Sequence, residues 1–536
     1  MSGITNLHES RALSVGFRAG VSRVEITPQA PIWMSGYPHR KHASRSVVHS
    51  LWAKVLAIED ENARTVIVAT DLIGLPRAIT DFVSARLQEE YGLERSQILF
   101  NSTHTHNGPV VWPNLRAMFD LGKREKGEVL EYGRGLAAHL FRAIAEALKN
   151  LEPAFLSYGL GKAHFAANRR EWTPEGVRIG VNPLGAVDLD VPVLEVRSQD
   201  QQLRAVVFGY ACHNTTCPDD SYELNGDYAG FAQIELEKSH PEATAMFLML
   251  CGGDQNPNPR GSFELAERHG KALAAEVDRI RGASLRKLEP PIQAAFENID
   301  LVFAPHTRET FEKELREPDP SRRRRAAAIL KSYDESSPAR CTLYPIQAIR
   351  LGPDLTILAL GGEVIASYSL RVKKEYAGNL VVAAYSNDVM SYIPSRRALR
   401  EGGYEVVESM VYYCQPGQYS DDVEDRIFAG IRSVLQRVGL HSEESLAEAT
   451  PESSLRTRLI SLFRDLNVGT DLEWSADTSL LRSGLLDSLA TLQLAEWIQR
   501  QVGADVDLLQ FDLSEEWETI ARIEQFIARH RQSQAG

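Results

Sequence analysis

The chain has 536 residues, which exceeds what one compact core can hold, so we expect two or three domains. Its 43% apolar and 24% charged residues are typical of a globular protein, and the net charge of −13 argues against a nucleic-acid partner. The five cysteines show neither zinc-finger spacing nor a disulfide framework.

Two features of the sequence concern location. The first residues, MSGITNLHESRALSVGF, contain no apolar run long enough for a signal peptide. No stretch approaches the ~18 apolar residues of a membrane-spanning helix. The sequence therefore predicts a cytoplasmic protein without a membrane span.

Apolar runs of two periodicities alternate along most of the chain. They predict strands over 16–30, 52–59, 65–72, 98–104, 153–167, 191–197, 205–212, 245–251, 344–350, 354–360 and 380–385, and helices over 79–91, 133–150, 262–281 and 307–333. Asp227 is expected to cap a further helix, and Arg322–Arg325 is interpreted as a solvated helix face. This alternation predicts an α/β domain with layered mixed sheets over residues 16–435.

The composition changes near residue 436. Residues 436–451 are small, polar and acidic, which predicts a linker. Residues 452–536 carry apolar stripes at helical spacing, one of them formed by Leu455, Leu459, Leu462 and Leu466. We expect a small all-α domain there, with four helices.

A histidine pair follows the apolar end of one predicted strand, in residues 101–109, Asn-Ser-Thr-His-Thr-His-Asn-Gly-Pro. In an extended chain residues i and i+2 point to the same face, so His104 and His106 are expected to project together. Such a pair suits a metal, or one metal ligand and one proton-handling group. The alternative is a hydrogen-bonded pair of histidines in a loop.

Three more candidate ligands, His213, Glu363 and Tyr392, follow other predicted strands. A set of two histidines and one carboxylate is typical of a catalytic zinc site that keeps room for water. Each residue alone has a structural interpretation, because the sequence does not show which strand ends meet.

At these positions the sequence resembles the neutral/alkaline (non-lysosomal) ceramidases, over about residues 16 to 415. The matching motifs are Ala19-Gly20, Glu25-Ile26-Thr27-Pro28, Thr103-His104-Thr105-His106, Gly108-Pro109, Asn168-Arg169, His213, Gly226-Asp227-Tyr228, Gly253-Asp254, Asn256-Pro257-Asn258, Gly362-Glu363, Tyr392 and Gly402-Gly403-Tyr404-Glu405. The resemblance implies a zinc amidase, since members of this family cleave the N-acyl bond of ceramide. The C-terminal β-sandwich expected of the family is missing.

The resemblance also implies roles for individual residues. Zn²⁺ would be held by His104, His213, Glu363 and Tyr392. His106 would contact the metal-bound water or the substrate, and His106 or Tyr392 would handle the proton passed to the leaving amine. Arg169 would stabilise the tetrahedral oxyanion.

Asp254 and Asn256 are candidate substrate-binding residues. Asn256 stands where ceramidases often carry a serine that has been considered catalytic. A covalent serine route is therefore not expected, and direct attack by water or an amine on a zinc-polarised carbonyl is favoured.

The C-terminal segment resembles an acyl or peptidyl carrier protein in Asp487-Ser488-Leu489 and, one loop upstream, in Asp477-Thr478-Ser479-Leu480-Leu481. The resemblance implies 4′-phosphopantetheine on Ser488, attached by a phosphopantetheinyl transferase. The alternative is that Asp487 or Ser488 only caps a helix.

Together the two resemblances predict a zinc-dependent enzyme of a specialised, natural-product type of biosynthetic pathway. It would transfer an acyl group from a thioester on Ser488 to an amine, with other biosynthetic enzymes as partners. The rival reaction is hydrolysis of an N-acyl amide, either tethered to the carrier or free. Two further hypotheses are an inactive ceramidase-like module that docks its carrier, and a carrier fused only for co-localisation.

Overall fold

The computed structural model describes residues 16–442 and, in the C-terminal part, residues 455–466, 468, 474–481, 483, 485–486, 488–502 and 516–532. Internal contacts divide the chain into two units, Met1–Leu440 and His441–Gly536. The start of the predicted linker belongs to the first unit, because Val438 is buried and Leu440 packs against its core. Residues 443–451 of that linker lie outside the described residues.

The first unit contains strands and helices in alternation. The strands are β1 (Phe17–Glu25), β2 (Ser46–Val47), β3 (Trp52–Glu59), β4 (Arg64–Thr70), β5 (Ile98–Ser102), β6 (Glu152–Lys162), β7 (Ala166–Thr173), β8 (Gly176–Asn182), β9 (Asp190–Ser198), β10 (Leu203–Tyr210), β11 (Glu223–Leu224), β12 (Thr244–Met249), β13 (Gln255–Pro257), β14 (Arg286–Lys287), β15 (Ile292–Val302), β16 (Cys341–Leu351), β17 (Leu355–Leu360), β18 (Glu363–Val364), β19 (Leu380–Ala383) and β20 (Tyr392–Ile393). The helices are α1 (Arg77–Tyr91), α2 (Lys123–Lys149), α3 (Asp227–Ser239), α4 (Phe263–Arg281), α5 (Arg308–Glu314), α6 (Pro320–Asp334), α7 (Ala366–Glu375), α8 (Arg396–Glu401), α9 (Glu408–Tyr412) and α10 (Val423–Arg437), with a 3₁₀ turn at Arg95–Gln97.

Two mixed sheets lie at the centre of this unit. The larger has nine strands in the order β12-β10-β9-β6-β1-β3-β4-β5, with β14 paired to β6, and the smaller has the order β15-β16-β17-β19. Most pairs are antiparallel, whereas β4–β5, β10–β12 and β17–β19 are parallel. Because the parallel strands end at the same edges, the loops that follow them carry polar residues to common places.

The two sheets pack face to face. Side chains of the larger sheet, such as Leu56 and Leu99, share one apolar cluster with Ile357 and Val381 of the smaller sheet. Helices α1 and α2 cover the outer face of the larger sheet, and α10 packs on β15 and β16. This arrangement confirms a mixed α/β fold and explains why strands such as β12 are apolar on both faces.

Several predicted elements differ in their limits. Helix α2 begins ten residues earlier than the apolar spacing indicated, because its first turns are solvated. The hairpin of β7 and β8 was not predicted. The buried residues of β7 are polar, Asn168, Arg169 and Arg170, so this strand has no apolar pattern, whereas β8 does alternate, with Val177, Ile179 and Val181. The helix predicted over 307–333 is two helices, which separate before Pro320.

Two residue-level predictions are corrected. The N-cap of α3 is Gly226, and the Asp227 carboxylate instead accepts the backbone N–H groups of Thr216 and Cys217. The basic run is not simply solvated, because Arg324 donates to the carbonyls of residues 117 and 118, and Arg325 pairs with buried Glu314. The Arg324 bonds attach α6 to the loop before α2, and the Arg325 pair joins α6 to α5.

In the second unit the described residues include three helices, α11 (Leu455–Asp465), α12 (Ser488–Val502) and α13 (Ile520–Gln532). Their buried side chains form one apolar cluster, which includes Leu459, Phe463, Leu494, Ile498, Ile523 and Phe526. The four-helix bundle stays a prediction, since residues 503–515 lie outside the described residues. Within the described parts of both units, every helix is too short or too polar to traverse a bilayer.

Candidate metal centre

The predicted ligands meet at one buried place, although they come from four segments. His104 and His106 follow β5, and His213 follows β10. Glu363 and Tyr392 lie directly opposite each other in the short parallel pair β18–β20. The strand ends therefore bring together residues that are far apart in sequence.

The histidine pair is close for a different reason than strand alternation. Strand β5 ends at Ser102, and His104 adopts a φ of 63°, in the left-handed region that a side chain rarely occupies. The backbone N–H of His104 donates to the Leu72 carbonyl, which holds this conformation. In the resulting turn the Nε2 atoms of His104 and His106 lie 3.2 Å apart.

The carboxylate of Glu363 faces the two predicted histidine ligands with one oxygen. Its Oε2 lies 3.1 Å from His104 Nε2 and 3.2 Å from His213 Nε2. The hydroxyl of Tyr392 lies 3.0 Å from the same His213 nitrogen. Two imidazole nitrogens, a carboxylate oxygen and a phenol oxygen thus converge within hydrogen-bond distance.

The orientation of both imidazoles fits metal binding. His104 Nδ1 lies 2.6 Å from the Ile73 carbonyl, and His213 Nδ1 lies 2.7 Å from the Gly252 carbonyl, so both Nδ1 atoms act as donors. The Nε2 lone pairs consequently point towards the Glu363 oxygen, an arrangement that needs a proton or a cation between the atoms. Nδ1 bonds of this kind are typical of metal-ligating histidines, and three histidines, at positions 104, 106 and 213, are close enough to share an ion.

The electrostatics of the site favour a neutral His106, a neutral His213 and an ionised Glu363 carboxylate. Burial, and then the charge of Arg169, lower the pKa of His213 to about 4. Burial and the neighbouring His104 lower the pKa of His106 well below its usual range. Burial alone would raise the pKa of Glu363, but the two histidines that face it hold this pKa well below its usual range. Such groups can bind a cation at neutral pH without first losing protons.

Arg169 lies beside the ligands as a buried, fully engaged cation. Its Nη2 donates to the Tyr392 hydroxyl at 3.0 Å, and its Nη1 lies 3.4 Å from Asn256 Oδ1. Its Nε donates at 2.8 Å to Glu405, whose second oxygen accepts Arg170 Nη1 at 2.6 Å. The structure therefore places Arg169 and Asn256 at the site.

Asp254, the other candidate substrate-binding residue, has its carboxylate occupied elsewhere. The two oxygens accept the Ala366 backbone N–H at 2.8 Å and the Asn168 amide at 3.0 Å. Burial raises the pKa of Asp254 to about 6. Asp254 supports the segment after Glu363 in this way and does not reach the histidines.

His106 is the less buried member of the histidine pair, and its Nε2 faces that of His104. Its Nδ1 is buried and has no hydrogen-bond partner among the described residues. Gly36 packs on its side chain, and the ring of Tyr37 lies 5.0 Å away. His106 is thus the histidine best placed to meet a substrate.

Three more residues contact the predicted site residues, and the sequence assigned them no role. Tyr413 donates to Glu363 Oε1 at 2.6 Å, Glu405 holds Arg169, and the Tyr404 ring lies 5.6 Å from the Tyr392 ring. The motif Gly402-Gly403-Tyr404-Glu405 was the available signal for two of them. Nothing in the sequence pattern distinguishes Tyr413 from other tyrosines of the chain.

The predicted attachment residue lies in the second unit. Ser488 is the first residue of α12, where a carrier would present it. Its side chain and Asp487 lie outside the described residues.

Comparisons with known proteins agree with the fold of the first unit. Residues 17–276 match the family model described as neutral/alkaline non-lysosomal ceramidase, N-terminal. The crystal structure of neutral ceramidase from Pseudomonas aeruginosa superimposes with a TM-score of 0.63 and 19% identity, covering 80% of this chain and 75% of that chain. A ceramidase complexed with C2 gives 0.62 and 19%, covering 80% and 76%. At this identity the structural likeness concerns the fold.

The C-terminal region matches small carrier proteins. The D-alanyl carrier protein of Lacticaseibacillus rhamnosus is 33% identical over 78 residues, which cover 14% of this chain and 95% of that protein. The D-alanyl carrier protein 2 of Lactiplantibacillus plantarum is 36% identical over 69 residues, 13% of this chain and 84% of that protein.

Proposed function

We propose that the chain is a metal-dependent enzyme acting on N-acyl amides in a biosynthetic pathway. Its N-terminal part belongs to the neutral/alkaline non-lysosomal ceramidase family, and its C-terminal region belongs to the carrier-protein family. The reaction proposed first is transfer of an acyl group from a thioester on Ser488 to an amine. Hydrolysis of an N-acyl amide is the rival reaction at the same site.

The observation that carries the proposal is the convergence of the Glu363 carboxylate on His104 and His213, beside Tyr392 and Arg169. These residue types fit Zn²⁺, and the four ligands would be His104, His213, Glu363 and Tyr392. When bound, such an ion supplies Lewis-acid polarisation of the substrate carbonyl.

The chain's own residues would do the remaining work. Arg169 presents donors next to the Tyr392 hydroxyl, where they would stabilise negative charge that develops on the carbonyl oxygen. His106, whose Nε2 lies 3.2 Å from His104 Nε2, would take a proton from the attacking nucleophile and return it to the leaving group. Asn256 offers an amide in place of a nucleophilic hydroxyl, so the proposed attack is direct.

The proposed transfer balances without another reagent. The amine nitrogen attacks the thioester carbonyl, a C–N bond forms, and the C–S bond breaks. The proton released by the amine ends on the pantetheine thiol. In the rival reaction water supplies the oxygen, the C–N bond breaks, and a carboxylic acid and an amine leave.

The names of the carrier relatives suggest which acyl group the phosphopantetheine on Ser488 would carry. Their names describe a D-alanyl group, that is, an aminoacyl thioester with a free amine. An aminoacyl group on Ser488 would therefore offer the nitrogen of the amide, while an acyl group there would offer its carbonyl. Both kinds of load belong in the test.

The first experiment is intact-protein mass spectrometry after treatment with coenzyme A and a broad phosphopantetheinyl transferase. Wild type should gain one phosphopantetheine, Ser488→Ala none, and the matched control Ser483→Ala one. No gain on wild type, with a control carrier modified in parallel, would refute the thioester part of the proposal.

Loaded protein is then incubated with amines, and free N-acyl amides are offered to unloaded protein. Amide formation that needs Ser488 and is lost in Glu363→Gln supports transfer, whereas release of acid from N-acyl amides supports hydrolysis. Turnover on free substrates that survives Ser488→Ala would favour a carrier fused for co-localisation. Folded protein that binds no metal would favour the inactive docking module.

A further inference from the structure

Glu363 has two oxygens with different partners. Oε2 faces His104 Nε2 and His213 Nε2 at 3.1 and 3.2 Å. Oε1 points away from the histidines and accepts the Tyr413 hydroxyl at 2.6 Å, a short distance typical of a strong bond between a hydroxyl and a carboxylate. The side chain of Glu363 is 3% exposed, so water does not replace this bond easily.

Tyr413 is held in place from several sides. It follows helix α9, and its N–H donates to the Ser409 carbonyl at 3.2 Å. The next residue, Cys414, has a φ of 59°, which ends the helix sharply. The Gln415 side chain then donates to the Met390 carbonyl at 2.8 Å, only two residues before Tyr392. The segment after α9 therefore supports the predicted ligand Tyr392 and also carries the Tyr413 hydroxyl, which binds the predicted ligand Glu363.

We propose that Tyr413 is a positioning residue that keeps Glu363 a one-oxygen ligand of the metal, through Oε2. This inference rests on the proposed metal centre. By occupying Oε1, the hydroxyl prevents the carboxylate from turning both oxygens towards the ion, and it fixes the carboxylate plane against the two imidazoles. With four single-atom ligands, a fifth position on the ion would stay available for the substrate carbonyl, whereas a two-oxygen carboxylate would fill it.

Loss of the hydroxyl should change metal binding in two ways. An unrestrained carboxylate can bind through both oxygens, which raises the coordination number. It can also rotate away, which weakens binding, and removal of comparable supporting bonds typically lowers metal affinity roughly 10–100-fold. A purely structural tyrosine would change stability but not the coordination of the metal.

The test uses full-length wild type, Tyr413→Phe and the matched control Tyr385→Phe. Tyr385 is also buried, its ring lies 4.4 Å from that of His104, and its hydroxyl has no partner among the described residues. Zn²⁺ affinity is measured by competition with a chromophoric chelator, and the visible absorption of the Co²⁺-substituted proteins reports coordination number. Thermal unfolding verifies that each variant is folded.

We expect Tyr413→Phe to bind Zn²⁺ 10–100-fold more weakly and to give weaker Co²⁺ bands, as a higher coordination number requires. Tyr385→Phe should stay within about twofold of wild type in affinity, because it loses no hydrogen bond. Tyr413→His keeps a ring N–H donor and should recover part of the affinity. Tyr413→Met, which also lacks the hydroxyl, serves in place of Tyr413→Phe if that variant does not fold.

Equal Zn²⁺ affinity and equal Co²⁺ spectra in wild type and Tyr413→Phe would overturn the inference and leave the proposed function standing. An equal loss in Tyr385→Phe would overturn it too, since the effect would then follow from any lost hydroxyl near the site. If wild type itself binds no metal, the proposed function fails, and the inference fails with it.

Discussion

Glu405 gives the sharpest stability prediction, because one buried carboxylate holds two neighbouring arginines. It is 1% exposed and accepts Arg169 Nε at 2.8 Å and Arg170 Nη1 at 2.6 Å. Glu405→Gln keeps the shape but removes the charge, so two buried guanidinium groups lose their shared counter-ion. Removing one partner of a buried ion pair typically costs about 3–5 kcal/mol.

This loss converts to a measurable shift in the melting temperature. Unfolding entropy is about 2.1 cal/mol/K per residue, so for a unit the size of Met1–Leu440 a loss of this size lowers Tm by roughly 3–5 °C. Thermal unfolding at pH 7, followed by circular dichroism, measures the shift. The matched control is Glu171→Gln, which breaks the exposed pair of Glu171 with Arg178 on the neighbouring hairpin and should change stability by less than ~1 kcal/mol.

The pH dependence provides a second check. Burial alone would raise the pKa of Glu405, but Arg169 and Arg170 lower it below its ordinary value of 4.5. A carboxylate with a lowered folded pKa adds stability above the unfolded pKa, and this stability is lost as the pH falls through the folded pKa. The difference between wild type and Glu405→Gln should therefore be full at pH 7 and shrink below about pH 4.5. A Tm shift no larger than that of Glu171→Gln at pH 7 would refute the reasoning.

Three further predictions concern the metal centre and its surroundings. Burial lowers the pKa of His213 to about 4, so Zn²⁺ affinity should stay level from pH 8 to about pH 6 and fall towards pH 4. Calorimetric titration measures this affinity, and a tenfold loss already at pH 6 would contradict the prediction. Gly36 has a φ of 99°, and a Cβ there would lie 2.7 Å from His106 Cβ. Gly36→Ala should therefore lower turnover at least tenfold while metal content stays at one ion per chain. Unchanged turnover would show that His106 is not needed in this position. Arg324→Ala removes the donors to the carbonyls of residues 117 and 118, and amide exchange around these residues should accelerate relative to Arg323→Ala.

The sequence allowed a good prediction of the fold of the first unit, because long apolar runs alternate with amphipathic helices. Strands such as β12 and β17 are buried on both faces and were predicted close to their limits. The hairpin of β7 and β8 was missed although Val177, Ile179 and Val181 alternate in β8, because the buried residues of β7 are polar and give no apolar pattern to pair with it. The start of α2 was missed because Val129 is the first apolar residue of the helix, and the residues before it are charged or glycine.

The proximity of His104 and His106 was predicted, but the stated geometry was wrong. The pair does not continue β5, and a left-handed turn at His104 points both Nε2 atoms inward. Such a conformation depends on bonds to Leu72 and Ile73, which come from another strand end. Local sequence cannot specify it, because the residues that stabilise the turn are distant in the chain.

The supporting bonds of the site follow the same rule. From the motif Asn168-Arg169-Arg170 a role was predicted for Arg169 alone. The orientation of Arg169 depends on Glu405, and the Glu405 carboxylate also binds Arg170. Arg170 also pairs with Glu401 at 3.2 Å and donates to the Gly402 carbonyl, so the two arginines and the two carboxylates form one network of balanced charge. This network holds Arg169 with its Nη2 on the Tyr392 hydroxyl, where a cation can stabilise negative charge on the oxygen of a carbonyl under attack. Arg170 therefore acts on the site through Glu405, and Arg170→Met should lower turnover by loosening Arg169, even though the Arg170 side chain itself bonds to Glu405, Glu401 and the Gly402 carbonyl.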